Sequence, residues 1–150
     1  MVIEWLKRKR AAAVLGREKR KAAERLEREQ ELEKETAEWK GGYFQNIIFP
    51  IVILAKKDYV AVSSLTEYYV DADINIWFIK SDHELVDSLG QKYDFQQIEN
   101  GQWVPNKKTG TMNYEELKNR LIPLLYMPKH KQKLNGTKNI KDIIELLKTE

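Results

Sequence analysis

The alternation of hydrophobic and polar positions changes character once along this chain, at Gly41-Gly42. Upstream, residues 1–40 contain no Pro and one Gly and are dominated by Ala, Glu, Lys, Arg and Leu. Those are strong helix formers, and they predict one long helix. Pairs at i, i+4 such as Arg20–Glu24, Glu24–Arg28 and Arg25–Glu29 support it, while Lys21–Arg25 and Glu27–Glu31 oppose it. Apolar positions are thin: Leu15, Ala22 and Leu26 make a partial stripe, and Leu32 falls off it. Without a sustained heptad the pattern predicts a solvated helix rather than a two-stranded coiled coil. The domain reading is therefore a charged helix over residues 1–42, ending at the Gly-Gly break, and an α+β domain over 43–150.

Downstream of the break, β-branched and aromatic residues take over. The run from Ile47 to Leu54 reads as a strand buried on both faces, with Pro50 disturbing part of it. A turn at Lys56-Lys57-Asp58 leads to a short strand over 59–63. Ser64 and Glu67 have capping-box spacing for a short helix to about Val70. Ile74, Ile76 and Phe78 alternate with Asn75, Trp77 and Ile79, predicting a strand that continues through His83, Leu85 and Val86. Asp87-Ser88-Leu89-Gly90 reads as a turn, Tyr93 and Phe95 lie on the returning strand, and Asn100-Gly101 is a hairpin signal. These elements predict a three-stranded antiparallel meander from about 74 to 105, followed by a polar loop over 106–110. Asn113 with Glu116 caps a helix bearing Leu117, Leu121, Leu124 and Leu125, which Pro123 kinks or ends. A basic loop over 128–138 then precedes a last helix capped by Asn139, with Ile140, Ile143, Ile144 and Leu147 on one face. The fold class is α+β: a long N-terminal helix, then a small antiparallel sheet covered on one side by two C-terminal helices.

At 150 residues, with 42% hydrophobic and 33% charged, the composition holds one domain of ordinary size beside the helix. The absence of cysteine excludes disulfide frameworks, thiolate nucleophiles and Cys-based zinc sites. No apolar run is long enough to cross a bilayer as a helix, and Met1 to Leu6 is followed by charge rather than by a signal-peptide core. The expectation is a soluble cytoplasmic protein.

The formal charge of +3 conceals blocks. Residues 1–21 carry +6, residues 22–40 carry −3, residues 41–116 carry −5 and residues 117–150 carry +5. Charge organised in this way bears on partners more than the total does.

No Gly-rich phosphate loop, HExxH, GxSxG or calcium-loop motif is present, and the two histidines, His83 and His130, are far apart in sequence. Asp71-Ala72-Asp73 pairs two carboxylates that could share a cation or work as acid and base, but its composition is that of a solvated turn. Asp82-His83-Glu84 places the imidazole between carboxylates, yet in a strand His83 would face away from both. The reading is of no enzyme, no cofactor and no metal site.

The N-terminal helix offers Lys7, Arg8, Lys9, Arg10, Lys19, Arg20 and Lys21, with Trp5 near its start. Such a segment neutralises nucleic-acid phosphates, lies on an anionic membrane beside Val2, Ile3, Trp5 and Leu6, or is simply a solvated face. Lys129, His130, Lys131 and Lys133 form a second basic cluster without interleaved aromatics for base stacking. Trp77 and Trp103 read first as core or cross-strand residues. Trp103, however, adjoins a hairpin turn, and with Tyr93 it makes the first candidate for a partner surface. Asp71, Asp73 and Asp94 supply acidic surroundings for a basic partner protein.

The succession Tyr59-Val60-Ala61-Val62-Ser63-Ser64-Leu65-Thr66-Glu67, then Asp71-Ala72-Asp73-Ile74, then Asp87-Ser88-Leu89-Gly90-Gln91 resembles small uncharacterised bacterial proteins of the toxin-immunity type. The shared order is a strand into a Ser-x-x-Glu helix, a second strand, and an Asp-Ser-x-Gly turn. The motifs are capping and turn signals, no functional residue carries over, and the N-terminal helix has no counterpart in the pattern. The resemblance implies a non-enzymatic protein that binds and blocks another protein. The rival reading is an adaptor held through its basic helix to an anionic membrane surface or to nucleic acid.

Overall fold

The computed structural model describes residues 2–149, with the side chains of residues 2–5 and 12 left outside that description. The chain forms two compact units, Met1–Ala37 and Glu38–Glu150. Helix α1 runs Val2–Gly41, as its composition demands. Between residues 6 and 37 nearly every described side chain is exposed. The second unit takes in the last turn of this helix because Trp39 is a core residue there. Its ring stacks on Phe44 at 6.0 Å and meets Tyr69 edge-on at 4.8 Å.

The second unit is built on a five-stranded antiparallel sheet: β1 (Ile51–Leu54), β2 (Tyr59–Val62), β3 (Glu84–Val86), β4 (Gln91–Gln97) and β5 (Trp103–Thr111). Their spatial order is β2-β1-β3-β4-β5. Strand side chains alternate between faces, so β1 feeds two cores at once. Ile51 and Ile53 join Val62, Leu85, Phe95 and Val104 on one face, against Trp39, Phe44, Tyr68, Ile74 and Ile79. Val52 and Leu54 join Ala61 and Val86 on the other, against the closing helices. Those are α3 (Tyr114–Leu121), α4 (Pro128–Asn135) and α5 (Ile140–Thr149), with a 3-10 turn over Ile122–Leu124 at Pro123. The sheet is thus covered on both faces, where the sequence pattern predicts one.

Local signals set the caps. Ser64 Oγ accepts from Glu67 N at 3.2 Å and starts α2 (Leu65–Val70), while Asn113 Oδ1 accepts from Glu116 N at 2.9 Å. Asn139 Oδ1 accepts from Asp142 N at 2.8 Å and caps α5. Gly90 takes φ of +81° in the β3–β4 turn, and a Cβ there would lie 2.2 Å from the Met112 carbonyl oxygen, so only glycine fits.

Strand β1 begins at Ile51 rather than Ile47, leaving Ile48 exposed ahead of it, and three further elements differ from the pattern's prediction. Residues Asp73–Phe78 form a π-helical turn, not the first strand of the meander, which starts at β3. The cause is Asn75, whose Nδ2 donates to the carbonyls of Tyr68 (2.8 Å) and Tyr69 (3.2 Å) at the open end of α2. Satisfying those carbonyls pulls a polar residue inside and coils the backbone. Residues 106–110, read as a loop, belong to β5, because Asp94 Oδ1 accepts from Lys107 N at 2.7 Å across a register shift. Residues 128–135, read as part of a basic loop, form α4, with Pro128 at the first helical position and Leu134 buried.

Candidate functional site

The π-helical turn turns Trp77 outwards. Ile74 and Asn75 are its buried residues, and Ile79 follows them into the core. In coiled backbone that side of the turn is inward, so Ile76 and Trp77 project to solvent. Trp77 is 75% exposed, its neighbour Ile76 is 37% exposed, and Val70, at the end of α2, is 56% exposed. Large rings are seldom left this bare on a surface without a role. π-turns also concentrate at functional places.

Asp71 shapes the turn and half-faces solvent. Its Oδ1 accepts from Asp73 N at 3.0 Å, and its carbonyl accepts from Ile74 N and Asn75 N at 3.1 and 3.0 Å. Asp73 is exposed. The exposed apolar segment is therefore bordered by two carboxylates and has no cation in sequence before Lys80. Beneath it, Asn75 Oδ1 is buried without a hydrogen-bond partner.

The other residues expected at a partner surface sit differently. Tyr93 is 8% exposed, packed within the core, with its hydroxyl 3.5 Å from the Asn46 carbonyl. Burial, and then the charge of Asp87, hold that phenol above its usual pKa. Trp103 is half-buried against the same core, and its carbonyl accepts the Tyr68 hydroxyl at 2.5 Å. These two rings do not form an exposed pair, because both pack into the core that contains Trp39 and Tyr68. Asp94 is occupied holding β5 through Lys107 N. Asp71 and Asp73 do lie on the exposed surface, beside a tryptophan that the alternating pattern assigns to the core.

His83 is buried and lies just before β3 rather than within a strand. Its Nδ1 accepts from Lys80 N at 3.2 Å, and its Nε2 lies 3.8 Å from Asp82. Burial pushes its pKa below the usual histidine range, against the opposing pull of Asp82. The Nδ1 acceptor role requires a neutral ring, consistent with that direction. Among the described residues, no three His, Asp or Glu side chains converge as a metal-ligand set.

A groove of about 470 Å³ runs along edge strand β2, lined by Tyr59, Leu124, Met127, His130 and Leu147 with Lys57 and Lys148 at its rim. Tyr126 stands beside it at 89% exposure. Lys148 is already paired with Glu67, whose other oxygen accepts from Ser63 N at 3.1 Å.

In the first unit, Lys7, Arg8, Lys9, Arg10, Lys19, Arg20 and Lys21 are all exposed on α1, and the Trp5 side chain lies outside the described residues. No helix among the described residues is long and apolar enough to cross a membrane. No protein-family model, curated protein or solved structure matches the chain.

Proposed function

We propose that the α+β unit is a non-enzymatic protein-interaction module that occludes a basic surface of its partner, in the manner of an immunity protein. Trp77 is the anchor, Ile76 and Val70 extend the apolar contact, and Asp71 and Asp73 meet cations on the partner. The observation that carries this reading is the exposure of Trp77, 75%, on a turn whose Ile74 and Asn75 are buried. Tryptophan is enriched among residues that dominate binding energy, and a polar rim around it excludes water and sets the partner's charge. The carboxylates add association rate and partner choice more than affinity.

The test is affinity capture of the full chain from the cell that makes it, comparing wild type with Trp77→Ala and with Asp71→Lys/Asp73→Lys. A hot-spot ring is worth about 2 kcal/mol or more, so Trp77→Ala should weaken the complex by about 30-fold or more. The charge reversal should slow association and lower its salt sensitivity. A captured protein retained equally by all three forms would overturn the proposal.

A further inference from the structure

Helix α1 carries ten Lys and Arg between residues 7 and 28. They are not spread evenly around it. At about 100° per residue, six of them fall within an arc of about 80°: Lys7, Arg10, Arg17, Lys21, Arg25 and Arg28. No Asp or Glu between Lys7 and Arg28 lies in that arc; Glu18, Glu24 and Glu27 all project outside it. At 1.5 Å per residue the row is about 32 Å long. All six side chains are exposed, and none enters an ion pair among the described residues.

This arrangement works against the helix itself. Arg17–Lys21 and Lys21–Arg25 are like charges one turn apart, each opposing the helix. The cations also crowd the half nearer the positive end of the helix dipole. A line of anions would relieve both. A second copy of the helix does not, since pairing along this row sets cation on cation. A membrane surface needs an apolar face beside the charges. Among the described residues, the exposed Leu15 and Leu26 share one side, about 80° or more from the edge of the row. Leu6 and Val14 point about 100° or more away from that side, so no broad apolar face lies beside the cations. Single strands are gripped by aromatic rings interleaved with charge, and the row contains none. A double helix presents what remains: closely spaced phosphates along a rigid line, over about nine base pairs for a row of this length.

We infer that α1 docks on the phosphate backbone of duplex nucleic acid through this row, without reading base sequence. The inference rests on the first unit alone and is independent of the surface around Trp77. Fluorescence anisotropy of the full chain with labelled random-sequence duplexes of about 25 base pairs, DNA and RNA side by side, tests it. Six phosphate contacts predict a slope of log K against log salt near about −5, a loss of about a thousandfold between about 50 and 200 mM salt. Arg17→Gln/Lys21→Gln/Arg25→Gln should bring the slope to about −3. Arg8→Gln/Lys19→Gln/Arg20→Gln removes the same charge from other faces and should leave the slope near the wild-type value, with helicity of both variants checked by circular dichroism. Binding to either duplex with this asymmetry supports the inference. No binding at low salt, equal losses in the two variants, or stronger binding to phosphatidylserine vesicles at matched phosphate concentration would each overturn it.

Discussion

Replacing Asp87 by asparagine should destabilise the α+β unit nearly as much as replacing it by alanine. The carboxylate is fully buried, and each of its oxygens accepts two hydrogen bonds. Oδ1 takes Leu89 N at 3.0 Å and Gln91 N at 2.9 Å, while Oδ2 takes Ile48 N at 3.2 Å and Gln91 Nε2 at 2.8 Å. The group ties the β3–β4 turn to the segment entering β1, where Ser88 adds bonds to the carbonyls of Ile48 and Pro50. An asparagine placed either way round sets its NH2 against two N–H donors. Two bonds to a charged acceptor are then lost, each worth about 1.5–3 kcal/mol, and part of that is offset because no charge is buried. The net cost is about 3 kcal/mol, and alanine should cost about 3–5 kcal/mol. In urea unfolding the midpoint should fall by about 1–2 M for asparagine. A midpoint within about 0.3 M of wild type would refute the four-bond account.

Two further outcomes follow from burial and charge. Trp39→Ala, which empties a core site 8% exposed, should cost about 3–5 kcal/mol, whereas Trp77→Ala should change stability by less than about 0.5 kcal/mol in the same urea series. For His83, a folded-state pKa held below the unfolded value of about 6.5 means that the unfolded chain binds the extra proton. Its contribution is intact above that value and is lost as pH falls from there through the folded pKa. His83→Asn, which keeps an acceptor for Lys80 N, should flatten that part of a plot of stability against pH.

Much of the fold was legible where the signal is local. The apolar run of β1, the caps at Ser64, Asn113 and Asn139, and the turns at Gly90 and Asn100-Gly101 depend on residues within a few positions of one another. What could not be read depends on distant partners. The alternation over 74–79 fits a strand until Asn75 finds the carbonyls of Tyr68 and Tyr69. That one residue decides that Trp77 faces solvent and that the candidate surface exists. A hint lay in Asp71-Ala72-Asp73, whose first carboxylate accepts from Asp73 N and so turns the chain just ahead of the coil. β5 extends because Asp94 reaches Lys107 across a register shift, which composition does not reveal. On α1 the spacing of the six cations was in the sequence, but consecutive runs such as Lys7 to Arg10 draw the eye to blocks rather than to faces.

The most direct measurement replaces single residues by a photo-crosslinking benzoylphenylalanine in the producing cell: Trp77 in one strain, Trp103 and Tyr126 in two others. Light should join one protein to the chain at position 77 and leave the other two strains without that adduct. An adduct confined to position 126, on the groove beside β2, or no adduct at 77 would contradict a partner surface centred on Trp77.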